Sequence, residues 1–368
     1  MTIKANPFGR QWELIQADVL AAVARVGASG WYILGEEVAG FEGELAAHEG
    51  RQHAVGCASG LDAIELALRA LGIQPGDRVL TTPLSAFATT LAIVRAGGVP
   101  VFCDVDAAGL LDLELAERCL SEHSEIRYAV TVNLYGHVLD RVELQALKDR
   151  HGIKLVEDCA QSIGAASHGE PAGGVGDLAT LSFYPTKNLG ALGDAGAVLT
   201  DDAALADRCR RLRHYGQGAR YEHVELGLNS RLDELQAAIL RSAFLPRLDA
   251  WTAARRAIAK QYSEGLTRLI PVPRPANSDS VWHLYPVLSP AGERDASLSA
   301  LKAAGVQVNV HYPTLIPSQA AMNSVEGFLI WGQLSRAEDL AAREISLPIS
   351  PLLREEEIQF VIDAVERL

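Results

Sequence analysis

"HAVGCASGLDAIELALRALGI", residues 53–73, decides the fold class. Its opening, "HAVGCAS", reads as a short apolar strand. From Gly60 the period changes. Ile64, Leu68 and Leu71 fall on one helical face, and Gly72 marks the stop. The same strand-to-helix alternation continues downstream. "DRVLTT" (77–82) precedes the helical "LSAFATTLAIVRAGG" (84–98), and "VPVFCDV" (99–105) precedes a helix near 111–122. "RYAVTVNL" (127–134), "DRVELQALKDRHG" (140–152) and "IKLVED" (153–158) repeat it again. The strands are apolar on both faces. An α/β fold follows, with a mainly parallel sheet between layers of helices.

After residue 177 the pattern changes. "LATLSF" (178–183) and "GAVLTD" (196–201) are two short strands with a glycine-rich loop between them. A helical stretch runs from about 231 to 269. Beyond the Pro-rich "PVPRPANSD" (271–279) come "VWHLYPVL", "ASLSALKAAG", "VQVNVHYP" and a closing helix at 354–368. These elements form a smaller α/β unit. The expected domains are residues 1–247 and 248–368.

Composition narrows the function. The chain has 368 residues and a formal net charge of −13. Nucleic-acid binding needs a basic footprint, so this balance argues against it. No apolar run approaches the ~20 residues that span a bilayer. The N-terminus shows no signal-peptide core. Five scattered cysteines without a CxxC pair argue for reduced thiols in a cytoplasm, and against a zinc site. No metal is expected.

Chemistry gathers where the strands end, as it does in open α/β sheets. Ser59-Gly60-Leu61 turns from a strand into a helix N-terminus. It reads either as a phosphate cradle of free amides or as an ordinary capped helix. Asp158 closes a buried strand, where a carboxylate needs a cation or strong donors. It reads either as the partner of a protonated ring nitrogen or as a cap or ion pair. Ser182 and Lys187 follow the next strand, within "SFYPTKNLGALGDAG" (182–196). The chain holds 27 Arg and 6 Lys. A lysine at position 187 therefore points to what arginine cannot offer, an amine that loses its proton and attacks a carbonyl. "GALGDAG" (190–196) is spaced GxxGxxG and precedes a strand, so it is not a dinucleotide fingerprint. A phosphate cradle, a carboxylate for a pyridinium and a lysine for an aldehyde together describe a site for pyridoxal 5'-phosphate.

Over essentially its whole length the chain resembles the DegT/DnrJ/EryC1/StrS sugar aminotransferases, a branch of the fold type I pyridoxal phosphate enzymes. The resemblance rests on "SGWYILGEEVAGFEGELAAHEG", "NLYGH", "VEDCAQSIGA", "SFYPTKNLGALGDAGAVLT", "GLNSRLDELQAA", "VWHLYPV", "VHYP" and "ISLPISP". It implies a seven-stranded, mainly parallel sheet in the large domain. It implies that Lys187 forms the Schiff base, that Asp158 meets the pyridine nitrogen and that Gln161 meets the ring hydroxyl. Ser59, Gly60, Leu61 and Ser182 fall on phosphate-binding positions, and Phe87 falls where an aromatic ring stacks on the cofactor. Asn229 matches an asparagine that reaches the phosphate from a neighbouring subunit, so a homodimer with shared sites is expected. Tyr184, Arg220, His311, Tyr312 and Tyr32 fall near the nucleotide sugar, with Trp31 beside them. Leu61 stands where many members have Thr, and "AMNSVEGFLIWGQLSRAEDLAA" departs from the usual tail.

The implied reaction moves an amino group from glutamate to a dTDP-linked 3-keto-6-deoxyhexose. A UDP-linked keto sugar is the alternative substrate. A pyridoxamine-dependent sugar dehydratase is disfavoured, because those relatives look to carry histidine in place of the lysine. A silent regulator that senses the cofactor is disfavoured by the intact Lys187, Asp158 and Gln161. The arginines 208, 210, 211 and 213 read as a solvated helix face.

Overall fold

The structure, a computed structural model, describes residues 2–368. Two N-terminal helices, α1 (Phe8–Ser29) and α2 (Glu36–His48), lead into the sheet. Its strands are β1 (His53–Cys57), β2 (Arg78–Thr81), β3 (Val99–Phe102), β4 (Tyr128–Val132), β5 (Lys154–Asp158), β6 (Leu178–Ser182) and β7 (Gly196–Thr200). They lie in the order β1-β7-β6-β5-β4-β2-β3. β2 to β6 pair in parallel, and β7 runs antiparallel to both its neighbours. An eighth strand, Leu329–Ile330, extends the edge by pairing in parallel with β3. This corrects the expected seven. A two-residue strand carries no periodicity, and it lies within the stretch that departs from the family pattern.

Between the strands run α3 (Gly60–Ala70), α4 (Phe87–Arg95), α5 (Leu113–Glu122) and α6 (Arg141–His151), and α7 (Ala203–Leu212) follows β7. Ile64, Leu68 and Leu71 are buried, as their spacing requires. β4 is buried along its whole length because helices cover both faces of the sheet.

The helical stretch expected from about 231 to 269 is made of several segments. α8 (Glu234–Ile239) widens into a π turn at Leu240–Phe244 and tightens into a 3₁₀ turn at Leu245–Arg247, before α9 (Leu248–Gly265) begins. Pro246 lies in the 3₁₀ turn, where a missing N–H and a bulky ring break the regular ladder. Beyond it, Ile270–Pro271, Tyr285–Leu288 and Glu344–Leu347 form a three-stranded antiparallel sheet. Helices α10 (Arg294–Ala303), α11 (Ser335–Arg343) and α12 (Glu355–Glu366) complete the C-terminal part. Its core joins Ile258, Tyr262, Val287, Ile345 and Val361 with Ile3 from the other end of the chain. No helix among the described residues is long and apolar enough to cross a membrane.

Candidate active site

Three neighbouring elements bring the strand-end residues together. Cys57 and Ser182 both pair with Gly196 across β7. A Cβ on Gly196 would lie 2.4 Å from the Ser59 carbonyl carbon, so only glycine lets the turn after β1 sit over β7. A Cβ on Gly60 would lie 2.6 Å from Ser182 Cβ. The N-terminus of α3 is thereby held against the end of β6. Ser59 is a true N-cap: its Oγ accepts from the Asp62 amide at 3.1 Å. The first-turn amides of Gly60 and Leu61 have no acceptor within their own helix. The hydroxyl therefore serves the cap, and the free amides are compatible with an anion at the same turn.

Asp158 ends β5, next to β6, and is 5 % exposed. Its Oδ2 accepts from Thr89 Oγ1 at 2.8 Å and its Oδ1 from the Ala160 amide at 3.1 Å. Burial still raises its pKa, against the pull of these donors and of Lys187. No cation pairs with it among the described residues. Its charged form lacks a full positive partner in direct contact.

Lys187 lies in the loop between β6 and β7, its amide bonded to the Tyr184 carbonyl at 2.8 Å. The loop is tight, since a Cβ on Gly190 would meet the Pro185 carbonyl oxygen at 2.4 Å. Desolvation lowers the Lys187 ammonium to about 8, with Asp158 opposing the shift. A lysine in this state is part amine near neutral pH, which is what a nucleophile and proton carrier needs.

These residues line one cavity of about 410 Å³. Ser59, Gly60, Leu61, Asp158, Gln161, Ser182, Tyr184, Lys187, His311 and Tyr312 are all in its wall. Gln161 Oε1 accepts from the Tyr135 amide at 2.7 Å, leaving its amide group toward Tyr312. Tyr184 stands at the rim, 52 % exposed. His311 is held by Ser346 Oγ at 2.8 Å, and burial near Lys187 lowers its pKa to about 4.

Other expected residues lie elsewhere. Phe87 does not reach the cavity; it packs with Phe102, Ile316 and Met322, and its neighbours Ala86 and Ala88 line the wall instead. Asn229 is exposed and bridged to His214. Arg220 is exposed at a hairpin tip, over the Tyr221 ring. Tyr32 and Trp31 are also exposed and outside this cavity. Of the arginines expected on a solvated face, Arg213 is instead buried, where it binds the Gly56 carbonyl at 2.7 Å and pairs with Glu42.

Thr89 and His283 are among the wall residues that escaped the sequence reading. Thr89 is separated from Asp158 by 69 positions, and nothing local connects them. His283, in "VWHLYPV", bonds Asn188 at 3.2 Å and lines the cavity. A lone histidine between apolar residues was its only signal.

Comparison with known proteins adds a family. The profile of the DegT/DnrJ/EryC1/StrS aminotransferase family matches residues 13–366. The dTDP-3-amino-3,4,6-trideoxy-alpha-D-glucose transaminase of Streptomyces venezuelae is 44 % identical over 362 residues, covering 96 % of this chain and 93 % of that protein. A protein of Geobacillus stearothermophilus named "Pleiotropic regulatory protein" is 38 % identical over 371 residues, covering 99 % of this chain and 98 % of that one. The crystal structure of S. venezuelae DesV in complex with a ketimine intermediate superposes with a TM-score of 0.94 at 41 % identity, covering 100 % of this chain and 98 % of that one.

Proposed function

The chain belongs to the DegT/DnrJ/EryC1/StrS aminotransferase family, and from that premise we propose that glutamate is its amino donor and a dTDP-linked 3-keto-6-deoxyhexose its acceptor. The enzyme is an aminotransferase that uses pyridoxal 5'-phosphate. One observation carries the site reading: Lys187, an unpaired buried Asp158 and the open N-terminus of α3 all face the same cavity. The cavity residues fit the cofactor, because each lacks the partner that a different part of it would supply.

When bound, the cofactor supplies an electron-withdrawing ring that stabilises negative charge beside the reacting amine. The Gly60 and Leu61 amides and Ser182 would bind its phosphate. Asp158, oriented by Thr89 and Ala160, would keep a proton on the ring nitrogen. Gln161 would donate to the ring hydroxyl. Lys187 Nζ would attach the aldehyde and afterwards carry a proton to and from the substrate carbon. Tyr184, His311 and Tyr312 would border the sugar.

The relative named as a regulatory protein raises a second reading, a sensor without turnover. A lysine held near neutrality beside a buried carboxylate favours catalysis, since binding alone requires neither. Incubating the protein with glutamate and a panel of keto nucleotide sugars decides the matter. Amination of a dTDP-linked 3-keto sugar, read by mass and NMR, is expected. Failure to aminate any dTDP-linked 3-keto sugar would refute the acceptor assignment.

The lowered Lys187 pKa predicts a pH profile. The neutral amine is the attacking form, so uptake of pyridoxal phosphate by the apoprotein should quicken as pH rises and level off above about 8. Stopped-flow absorbance measures this; a rate still climbing toward the ordinary lysine range, ~10.4, would contradict it.

A homodimer with shared sites is part of the same proposal. Asn229 is exposed, and Tyr221, Val224 and Leu226 close to it in the chain are exposed apolar residues. An inactive Asn229 variant mixed with an inactive Lys187 variant should regain activity at one site of each mixed dimer. No recovery after confirmed subunit exchange would count against sharing. The domain division at 247/248 is proposed from the break at Pro246 and the start of α9 at Leu248. A cytoplasmic location is supported by five buried cysteines, all free.

A further inference from the structure

Beside the main cavity lies a smaller chamber of about 130 Å³. The two share Thr186, His283, Leu284 and His311 in their walls. Arg255, from α9, forms part of the small chamber and is 6 % exposed. Its only hydrogen bond among the described residues runs to the Ile349 carbonyl, and no carboxylate pairs with it. The other buried arginine among the described residues, Arg213, does have an acidic partner, Glu42. A buried cation without an anion is costly, and folded proteins avoid it unless something supplies the missing charge.

We propose that Arg255 and this chamber bind a carboxylate of the amino-acid donor. The proposal rests on the aminotransferase reading and adds to it where the donor is held.

The surroundings favour an anion. His283 is kept neutral by burial first and then by the positive charges of Lys187 and Arg255. Burial also lowers the Arg255 pKa to about 10. Glu344, bonded to the wall residues His311 and Ser346, does not compensate. It accepts from the His311 amide at 2.6 Å and from Ser346 Oγ, and burial raises its pKa to about 8. The chamber is therefore electropositive and walled by polar groups, including Asn6 and Asn309. A planar guanidinium suits a carboxylate through paired N–H donors. The chamber is too small for a nucleoside diphosphate, so the sugar nucleotide has to lie elsewhere in the larger cavity. An amino acid could place its amine toward Lys187 through the shared wall while a carboxylate enters the chamber.

Calorimetric titration with glutarate, an unreactive dicarboxylate, tests this on the cofactor-loaded protein. The variants are Arg255→Met, Arg255→Lys and Asn309→Leu, the last filling the chamber while keeping Arg255. Loss of a charge-assisted hydrogen bond predicts roughly 30-fold weaker glutarate binding in Arg255→Met. Arg255→Lys should recover part of it, and Asn309→Leu should also weaken it. dTDP, titrated in parallel, should bind all four proteins alike. Equal glutarate affinity in the wild type and Arg255→Met would overturn the proposal. So would loss of dTDP binding with glutarate unaffected, which would assign the anion to the nucleotide. If Arg255→Met fails to fold, unchanged glutarate affinity in Asn309→Leu overturns it instead. Arg255-dependent glutarate binding in a protein that transfers no amino group would sustain the anion site and refute the aminotransferase reading alone.

Discussion

Lys187→Ala is expected to reduce turnover by at least ~10⁴-fold, the upper range for losing an essential acid-base group and more where the same group is also the nucleophile. The side chain has no ion pair to lose, and it lines the cavity, so the protein should still fold. Removing a buried ammonium whose charged form is disfavoured should leave stability unchanged or slightly raised at neutral pH. The sign follows from the lowered pKa. Below about 8 both folded and unfolded chains carry the proton, and the folded chain bears the full desolvation cost. That cost fades between about 8 and the ordinary lysine value, and it vanishes above. The wild-type protein should be yellow, and borohydride should fix the cofactor to Lys187 in a peptide identified by mass spectrometry. In Lys187→Ala the covalent label should be absent. A label at another lysine would displace the assignment. The chain has few candidates, since Lys154 and Lys148 are engaged with the carbonyls of Leu71 and Val175.

The sequence reveals the chemistry at strand ends better than it reveals the walls around them. Asp158, Ser182 and the Ser59-Gly60 turn are legible because a buried parallel strand ends at each, and its carboxyl end faces the ligand side. Lys187 is legible because it is a lysine in an arginine-rich chain, beside glycines that turn the backbone. Residues placed by tertiary packing are not. Thr89 lies in the first turn of α4, and only the tertiary fold brings it to Asp158 at the end of β5. Arg255 carries no local signal of burial, yet on α9 it is almost wholly buried. Phe87 is a different case: the family resemblance implies a stacking ring there, whereas in this chain it packs with Phe102 and Met322. Asn229, Arg220 and Tyr32 stand outside the cavity of the single chain. The eighth strand and the break at Pro246 show the same limit: two residues of pairing, or one turn of altered pitch, barely disturb a hydrophobic pattern.

Asp158→Asn should retain some cofactor but lose roughly 10²–10³-fold in turnover, as expected when a buried pair to a cation loses its charge. Asparagine keeps the size, and its amide oxygen can still accept from Thr89 or from the Ala160 amide. Phosphate contacts at Gly60 and Leu61 are untouched, so affinity should fall far less than rate. The two effects separate because the charge acts on the ring nitrogen, whereas most binding contacts lie at the other end of the cofactor. The variant should also lose a destabilising term. Asp158 has a raised pKa because desolvation outweighs its donors, so the cofactor-free wild type carries this cost above the raised value, where the buried group must ionise. Apo Asp158→Asn should therefore melt at the same temperature as the apo wild type at acidic pH and higher at neutral pH. With cofactor bound, the order should reverse, because the wild-type carboxylate then has its cation. Comparing melting temperatures of the four forms across pH measures this directly. If the bound cofactor stabilised both proteins equally, Asp158 would be a cap of its strand end and not the partner of a ring nitrogen.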